Sequence, residues 1–418
     1  MAKNLVKKLN LKIALILSLL VRLLCWPWLI HGDVNATYWW GKFAAEFGLK
    51  GFYNWLNFGG YGRPDQPMLN ILYDLVVRRL FLFFYHIFWF LNTNIPVFPS
   101  KFMQWYFDNG NQYLLKLPMI IADIFLIYFS YRFIETKFGP AKAKLVSIIL
   151  ALYPPLVYNS AVWGSGDSIV NLLALLSIYF LWQRKYLFFS LLYIFSVLYK
   201  PSLLIWAPIF LIIAIKNKIS FKDIALTIMF SLILIYLICV PFSPSEINPL
   251  IWFTQTMSVK ILPGFMPHLT ANAMNFWAFF YGLNLKPDSL LIAAPITARL
   301  FSLIVCLFFY VFILCKLYKN YSLKYLLLTL VNITMVTFIF MTRMHERYTF
   351  PALIPLLLLC FYDRRFIKYF ILLSLTHSLN VYFVWLAPSL LDNNLVVRSI
   401  SFVNIMLTLK LIATTAKH

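Results

Sequence analysis

Apolar runs close to the length of a bilayer-crossing helix recur along this chain, separated by short polar breaks. A helix needs roughly 20 apolar residues to cross the hydrocarbon core. Segments near that length fall at residues 13–30, 114–133, 145–162, 169–182, 186–199, 203–215, 224–240, 294–314, 325–341, 350–362, 369–386 and 396–413. The pattern predicts an all-α polytopic membrane helix bundle of about 12 transmembrane helices. Two connections are much longer than the rest, 31–113 and 241–293. Within the first, 68–91 is apolar enough to resemble a span, but Asp74, Arg78 and Arg79 interrupt it. It is expected to be an amphipathic helix lying in the membrane interface, preceded by a shorter one at 35–47. With no internal repeat, low-complexity linker or soluble stretch, residues 1–418 are expected to form a single integral-membrane domain.

Charge orders these segments. Lys3, Lys7, Lys8 and Lys12 precede the first run. With alternation, the same side receives Arg132, Lys137, Lys142 and Lys144, then Arg184 and Lys185, then Lys216, Lys218 and Lys222, then Lys316, Lys319 and Lys324, then Arg364, Arg365 and Lys368, and finally Lys417. Basic loops stay in the cytoplasm, so both termini are expected inside and the two long loops outside. Turning 68–91 into a span would put the later basic loops outside. The 62% hydrophobic and 12% charged composition points the same way. The net charge of +22, which in a soluble chain would suggest nucleic acid, is here accounted for by inner loops, and no nucleic-acid partner is expected. All five cysteines lie in apolar runs without CxxC spacing, which fits small core residues rather than zinc or disulfides. The basic start leads into an apolar run without a small-residue cleavage site, so the first helix is expected to be retained.

Segment 341–348 packs Arg343, His345, Glu346 and Arg347, with Tyr348, between two apolar runs. Lipid cannot solvate such a cluster, so it belongs where a helix emerges or faces a wet cavity. The side assignment brings three other polar groups to the same outer face: His31 to Asn35, the Trp163-Gly164-Ser165-Gly166-Asp167 turn, and Lys200-Pro201. Each has a plainer reading. Asp33 and Asp167 could cap helices, with Gly164 and Gly166 forming the turn; Lys200 could snorkel ahead of a proline break; His345 and Arg347 could anchor an interface. Other chemistries fail: after His345-Glu346 a zinc-protease helix needs a second histidine where Thr349 stands, and no phosphate-binding glycine loop is present. One or two carboxylates facing several cations suit proton removal from an acceptor hydroxyl while Arg, Lys and His stabilise a departing phosphate.

These residues resemble the membrane-integral glycosyltransferases of the C superfamily that use polyprenyl-phosphate sugars. The likeness rests on Asp33 after the first helix, the Trp163-Gly164…Asp167 turn, Lys200-Pro201, and His345-Glu346-Arg347-Tyr348 with Pro351; Lys116-Leu117-Pro118 with Ala122-Asp123, and Asn272 to Trp277, are similar to stretches of its bacterial branch. The resemblance implies that Asp33 is the catalytic base for inverting attack on the anomeric carbon. It also implies that Lys200, His345 and Arg347, with Arg343, bind the lipid phosphate, and that Asp167 orients hydroxyls or assists a divalent metal ion. Trp163, Glu346 and Tyr348 complete the expected substrate-binding set. The expected donor carries a hexose, mannose in the branch most alike; the acceptor is a glycolipid, glycan or protein hydroxyl at the extracytoplasmic face of a bacterial plasma membrane. Outer-loop aromatics such as Trp39, Trp40, Tyr53, Trp55, Trp252 and Trp277 could stack on sugars or serve the membrane interface. The competing classes are a transporter or flippase of lipid-linked saccharides, which needs a polar path across the midplane, and a polymerase or ligase of lipid-linked glycans.

Overall fold

The computed structural model describes residues 10–263, 266–389 and 394–416. Lys3, Lys7, Lys8 and Lys417, part of the expected inner charge, lie outside the described residues. Among the described residues the chain is mostly helical, and the one small sheet is the antiparallel pair Leu291–Ala293 and Ile296–Thr297. Each predicted apolar run coincides over most of its length with a helix or a helix pair. Among the described residues, length and composition qualify 6 helices as candidate spans, or 7 if the bent pair Pro140–Ala151 and Pro154–Trp163 is one crossing. This is a multi-pass membrane protein; the expected count of about 12 transmembrane helices is not confirmed by length and composition, because Asp167–Trp182, Tyr186–Tyr199, Pro201–Asn217 and Phe350–Tyr362 are shorter apolar helices.

Backbone chemistry accounts for the shortening. Pro154 and Pro155 lack the N–H that would continue the Pro140–Ala151 helix, and the chain bends by 50° there. It then passes through a wide turn of helix at Tyr158–Trp163, which ends at Gly164 in the left-handed region. The residue before Pro201 likewise leaves helical geometry: Lys200 is extended at the end of Tyr186–Tyr199.

The first long connection is more ordered than its sequence suggested. Helices occupy Gly32–Phe47 and Met68–Asn94, where amphipathic helices were expected. The loop closes well before residue 113, because the 39-residue helix Ser100–Phe138 already begins at Ser100. Aromatic packing extends it backwards: Tyr106 stacks on Phe81 at 5.0 Å and Trp105 on Tyr113 at 5.4 Å. Pro118 inside this helix frees a carbonyl; nearby, Tyr113 O and Leu115 O take side-chain donors from Trp26 and Tyr73.

The helices pack as two compact units interleaved along the sequence. The first contains Met1–Phe129, Ser147–Leu203 and Ser220–Gly264; the second contains Ser130–Val146, Leu204–Ile219 and Phe265–His418. The first unit's main apolar cluster joins Trp40, Phe52, Tyr53, Phe58 and Met68 to Cys239, Phe242 and Trp252, so both long loops contribute to it. Its helix Phe221–Cys239 buries only Cys239, the pattern of an apolar helix facing lipid. The second unit is built round Leu323–Phe340, whose residues from Leu326 to Phe340 are all buried. A helix apolar on every side must be central, and this one delivers the chain directly into segment 341–348.

Candidate functional sites

In the first unit the polar groups assemble around the turn at Trp163. The Gly32–Phe47 helix is capped by His31, whose Nδ1 accepts from Asp33 N at 3.1 Å. Asp33 is therefore not the cap; it stands in the first turn, where the helix dipole favours a carboxylate. Its side chain is 51% exposed. Trp163 Nε1 donates to Asp33 Oδ2 at 3.1 Å, and the His31 ring lies 4.2 Å from the Trp163 ring. His31 Nδ1 is 3.7 Å from Asp33 Oδ1.

Asp167 opens Asp167–Trp182, with Gly166 at the cap position. Its carboxylate accepts from Ser165 Oγ at 2.9 Å and from the Lys200 ammonium. Both members of the Asp167–Lys200 pair are nearly buried, at 8% and 10% side-chain exposure, so Lys200 does not snorkel. The turn needs its glycines for two reasons. Gly164 has φ +78°, and a Cβ on Gly166 would lie 2.5 Å from the Tyr199 ring. Trp163 is buried; it meets Asp33 through its indole N–H rather than presenting a face to solvent.

The second unit holds the cationic segment. Phe340 ends the central helix, and Phe350–Tyr362 begins after the turn. The backbone of the second long loop runs beside this segment: Ala271 N donates to Met344 O at 2.9 Å and Arg343 N to His268 O at 3.1 Å. Arg343 has φ +64°, a left-handed conformation uncommon for a residue other than glycine. Its Nε donates to Asp288 Oδ2 at 2.7 Å. Glu346 is fully buried and accepts from Arg347 Nη1 at 2.9 Å and from Trp385 Nε1 at 3.2 Å. His345 Nδ1 is 4.0 Å from Glu346 Oε2, and its ring packs 5.1 Å from Tyr348. Glu346 can thus reach a ligand only through the cations it holds, whereas Arg343, His345 and Arg347 keep 24%, 29% and 12% of their side chains accessible.

The structure therefore gathers Asp33, Trp163, Asp167 and Lys200 in one unit, and Arg343, His345, Glu346, Arg347 and Tyr348 in the other. Several roles emerge only from the fold, some of them for residues already singled out in the sequence. Asp288 holds Arg343 but is an isolated acid in a loop sequence. Asn275 Nδ2 donates to Phe338 O and Asn380 Nδ2 to Asn272 O, fixing the loop that backs the cationic segment. Asp65 lies in the electrostatic range of Lys200 and Asp33; burial, more than any other effect, raises its pKa. Its neighbours Gln66 and Pro67, just ahead of a helix, were the available signal. Lys116 is completely buried beneath the Trp163 turn. Among the described residues no three His, Cys, Asp or Glu side chains converge as a metal-ligand set, so the alternative in which Asp167 assists a divalent ion gains no ligand shell. No known family model matches the chain, and no curated protein matches it.

Proposed function

We propose that this membrane protein is an inverting glycosyltransferase that moves a hexose, mannose first among the candidates, from a polyprenyl-phosphate donor to a glycolipid, glycan or protein hydroxyl. The supporting observation is the contrast between its two conspicuous acids. Asp167 is nearly buried and neutralised by Lys200, whereas Asp33 is half exposed and oriented by the Trp163 indole. Asp33 is thus the carboxylate that can meet a substrate hydroxyl.

In the proposed step Asp33 accepts the proton of the acceptor hydroxyl while that oxygen forms a bond to the anomeric carbon. The carbon–oxygen bond to the phosphate breaks, and its electron pair leaves on the lipid phosphate. Arg343, His345 and Arg347 supply the chemistry for phosphate recognition: two guanidiniums and an imidazole whose buried acids fix their positions. Lys200, engaged with Asp167, acts in this scheme by fixing that acid. In this scheme the reaction lies on the extracytoplasmic side, a reading supported by the basic residues of the expected inner loops.

The test is incubation of the purified full-length protein with a panel of labelled polyprenyl-phosphate sugars and a mixed glycolipid acceptor fraction. Release of lipid phosphate with one sugar is expected. Saturable binding of a lipid-linked sugar without turnover would replace this reading with a carrier, and turnover only of lipid-linked oligosaccharides would replace it with a polymerase or ligase.

A further inference from the structure

Among the fully buried ionic side chains of the first unit that the proposed reaction does not use are Arg22, Lys116 and Asp123. Lys116 and Asp123 lie on the Ser100–Phe138 helix, seven positions apart, so they share a face about two turns from one another. What they bind is unusual for buried ions. The Lys116 ammonium donates to backbone carbonyls only: Val162 O at 2.8 Å, Trp26 O at 3.2 Å, Ala161 O at 3.3 Å, and Leu29 O.

Those carbonyls are the ones that helix ends leave over. The first helix stops at Cys25, so Trp26 O and Leu29 O lie in the chain leading to His31. The wide turn stops at Trp163, and Ser165 N turns back to Asn159 O at 3.0 Å, leaving the carbonyls of 161 and 162 without a following helical turn. An ammonium has three donors and no acceptor, and it complements the negative end of a helix dipole. Lys116 therefore ties together the two backbone ends that continue into Asp33 and into Trp163.

Asp123 holds the same two segments one level deeper. It accepts from Arg22 Nε at 2.8 Å and from Ser160 Oγ. Arg22 Nη1 in turn donates to Ala151 O at 3.1 Å, a carbonyl whose normal helical donor would be residue 155, a proline without an N–H. Both levels join the first helix or the chain just after it to the broken helix, and both are made through one face of Ser100–Phe138. The packing above Lys116 is tight: a Cβ on Gly164 would lie 2.8 Å from Lys116 Cγ and 3.0 Å from Val34 Cγ2.

We propose that Lys116 is the positioning residue of the Asp33–Trp163 pair: by capping both chain ends it sets the distance and angle at which the indole N–H meets the carboxylate. Its value for turnover rests on the transferase reading above, whereas its hold on the two backbone segments does not. A misplacement of about 1 Å at a reacting group costs roughly 100-fold in rate.

The experiment compares wild type, Lys116→Met, Asp33→Asn and the double variant, each full length in the same detergent or nanodisc. Amide hydrogen exchange is the readout independent of activity. Lys116→Met is expected to speed exchange by about tenfold or more at 31–36 and 158–166, with Leu323–Phe340 unchanged. Unchanged exchange at both segments overturns the proposal whatever the reaction. If transfer is observed, kcat should fall on the order of 100-fold with donor KM nearly unchanged. The double variant should then be no slower than Asp33→Asn alone, since groups acting as one unit are not additive. Multiplicative losses would mean general damage and overturn it. If exchange responds but the wild type transfers no sugar, the transferase reading fails and the clamp stands. Should Lys116→Met not fold, Lys116→Gln keeps two N–H donors without the charge; failure of that variant to fold overturns positioning in favour of a purely structural lysine.

Discussion

In the first unit the exposed charge is an acid, Asp33, and the buried groups behind it are cations, Lys116 and Lys200. In the second the signs are reversed: Arg343, His345 and Arg347 are partly exposed, and the groups behind them are the acids Asp288 and Glu346. The means of attachment differ as well. Lys116 secures Asp33 indirectly, through carbonyls left over at helix ends, whereas Glu346 and Asp288 grip their cations directly, and neutral amides such as Asn275 and Asn380 hold the surrounding backbone. Burying a charge is costly unless it is paired or fully hydrogen-bonded. A buried ion must therefore sit in one place, and anything bound to it inherits that precision. The acid, with Trp163 and His31 against it, keeps half of its side chain accessible; the cations are paired with acids, which aim them while part of each side chain stays accessible.

The sharpest way to break this contrast is at the acid. Asp33→Asn keeps the shape and the indole contact but removes the base; transfer should fall by about 1,000-fold, within the usual span for general-base loss, while detergent size-exclusion and melting profiles stay as in wild type. Near-normal turnover would remove Asp33 from the chemistry and leave the two clusters without a division of labour.

Next in size is Glu346→Ala, which leaves the Arg347 guanidinium in a site only 12% exposed without its acid. Breaking such a pair costs about 3 kcal/mol or more, read as a lower thermal midpoint in detergent. A midpoint unchanged from wild type would show that Glu346 is not the support of the cationic segment. Gly166→Ala puts a methyl against the Tyr199 ring and should cost about 1–3 kcal/mol by overpacking; a neutral result would mean that the Asp167 turn shifts freely.

The smallest expected effect concerns pH. Burial holds the Asp65 pKa above its ordinary 3.8, so the folded chain keeps that proton longer than the unfolded one. Stability then declines as pH rises from the unfolded value through the raised one, and levels off above it. Asp65→Asn should lack that part of the slope when midpoints are compared across mildly acidic to neutral pH; an identical slope would assign the decline to another group.

Much of the helical layout was legible because apolar runs, prolines and glycines act locally. The break at Lys200-Pro201 and the helices at Gly32–Phe47 and Met68–Asn94 follow from such signals. The start of Ser100–Phe138 did not, since the turns ahead of residue 114 are held by partners on other elements, Phe81 stacked on Tyr106 and Trp26 donating to Tyr113 O. The candidate residues were visible as polar interruptions. Their states were not: nothing in the neighbours of Asp33 and Asp167 shows that one is wet and oriented by Trp163 and the other nearly buried against Lys200.

The sequence by itself determined that this chain lives in a membrane, which stretches are helical, and which few polar side chains interrupt them, because hydrophobic length and backbone chemistry are properties of adjacent residues. Only the tertiary structure decided which carboxylate stays exposed, that Glu346 faces inward, and that a lysine reached by neither substrate nor solvent caps two helix ends. Those outcomes depend on which carbonyls and charges meet across 39 to 130 positions of chain, and each is settled by the cost of leaving a buried polar group without a partner.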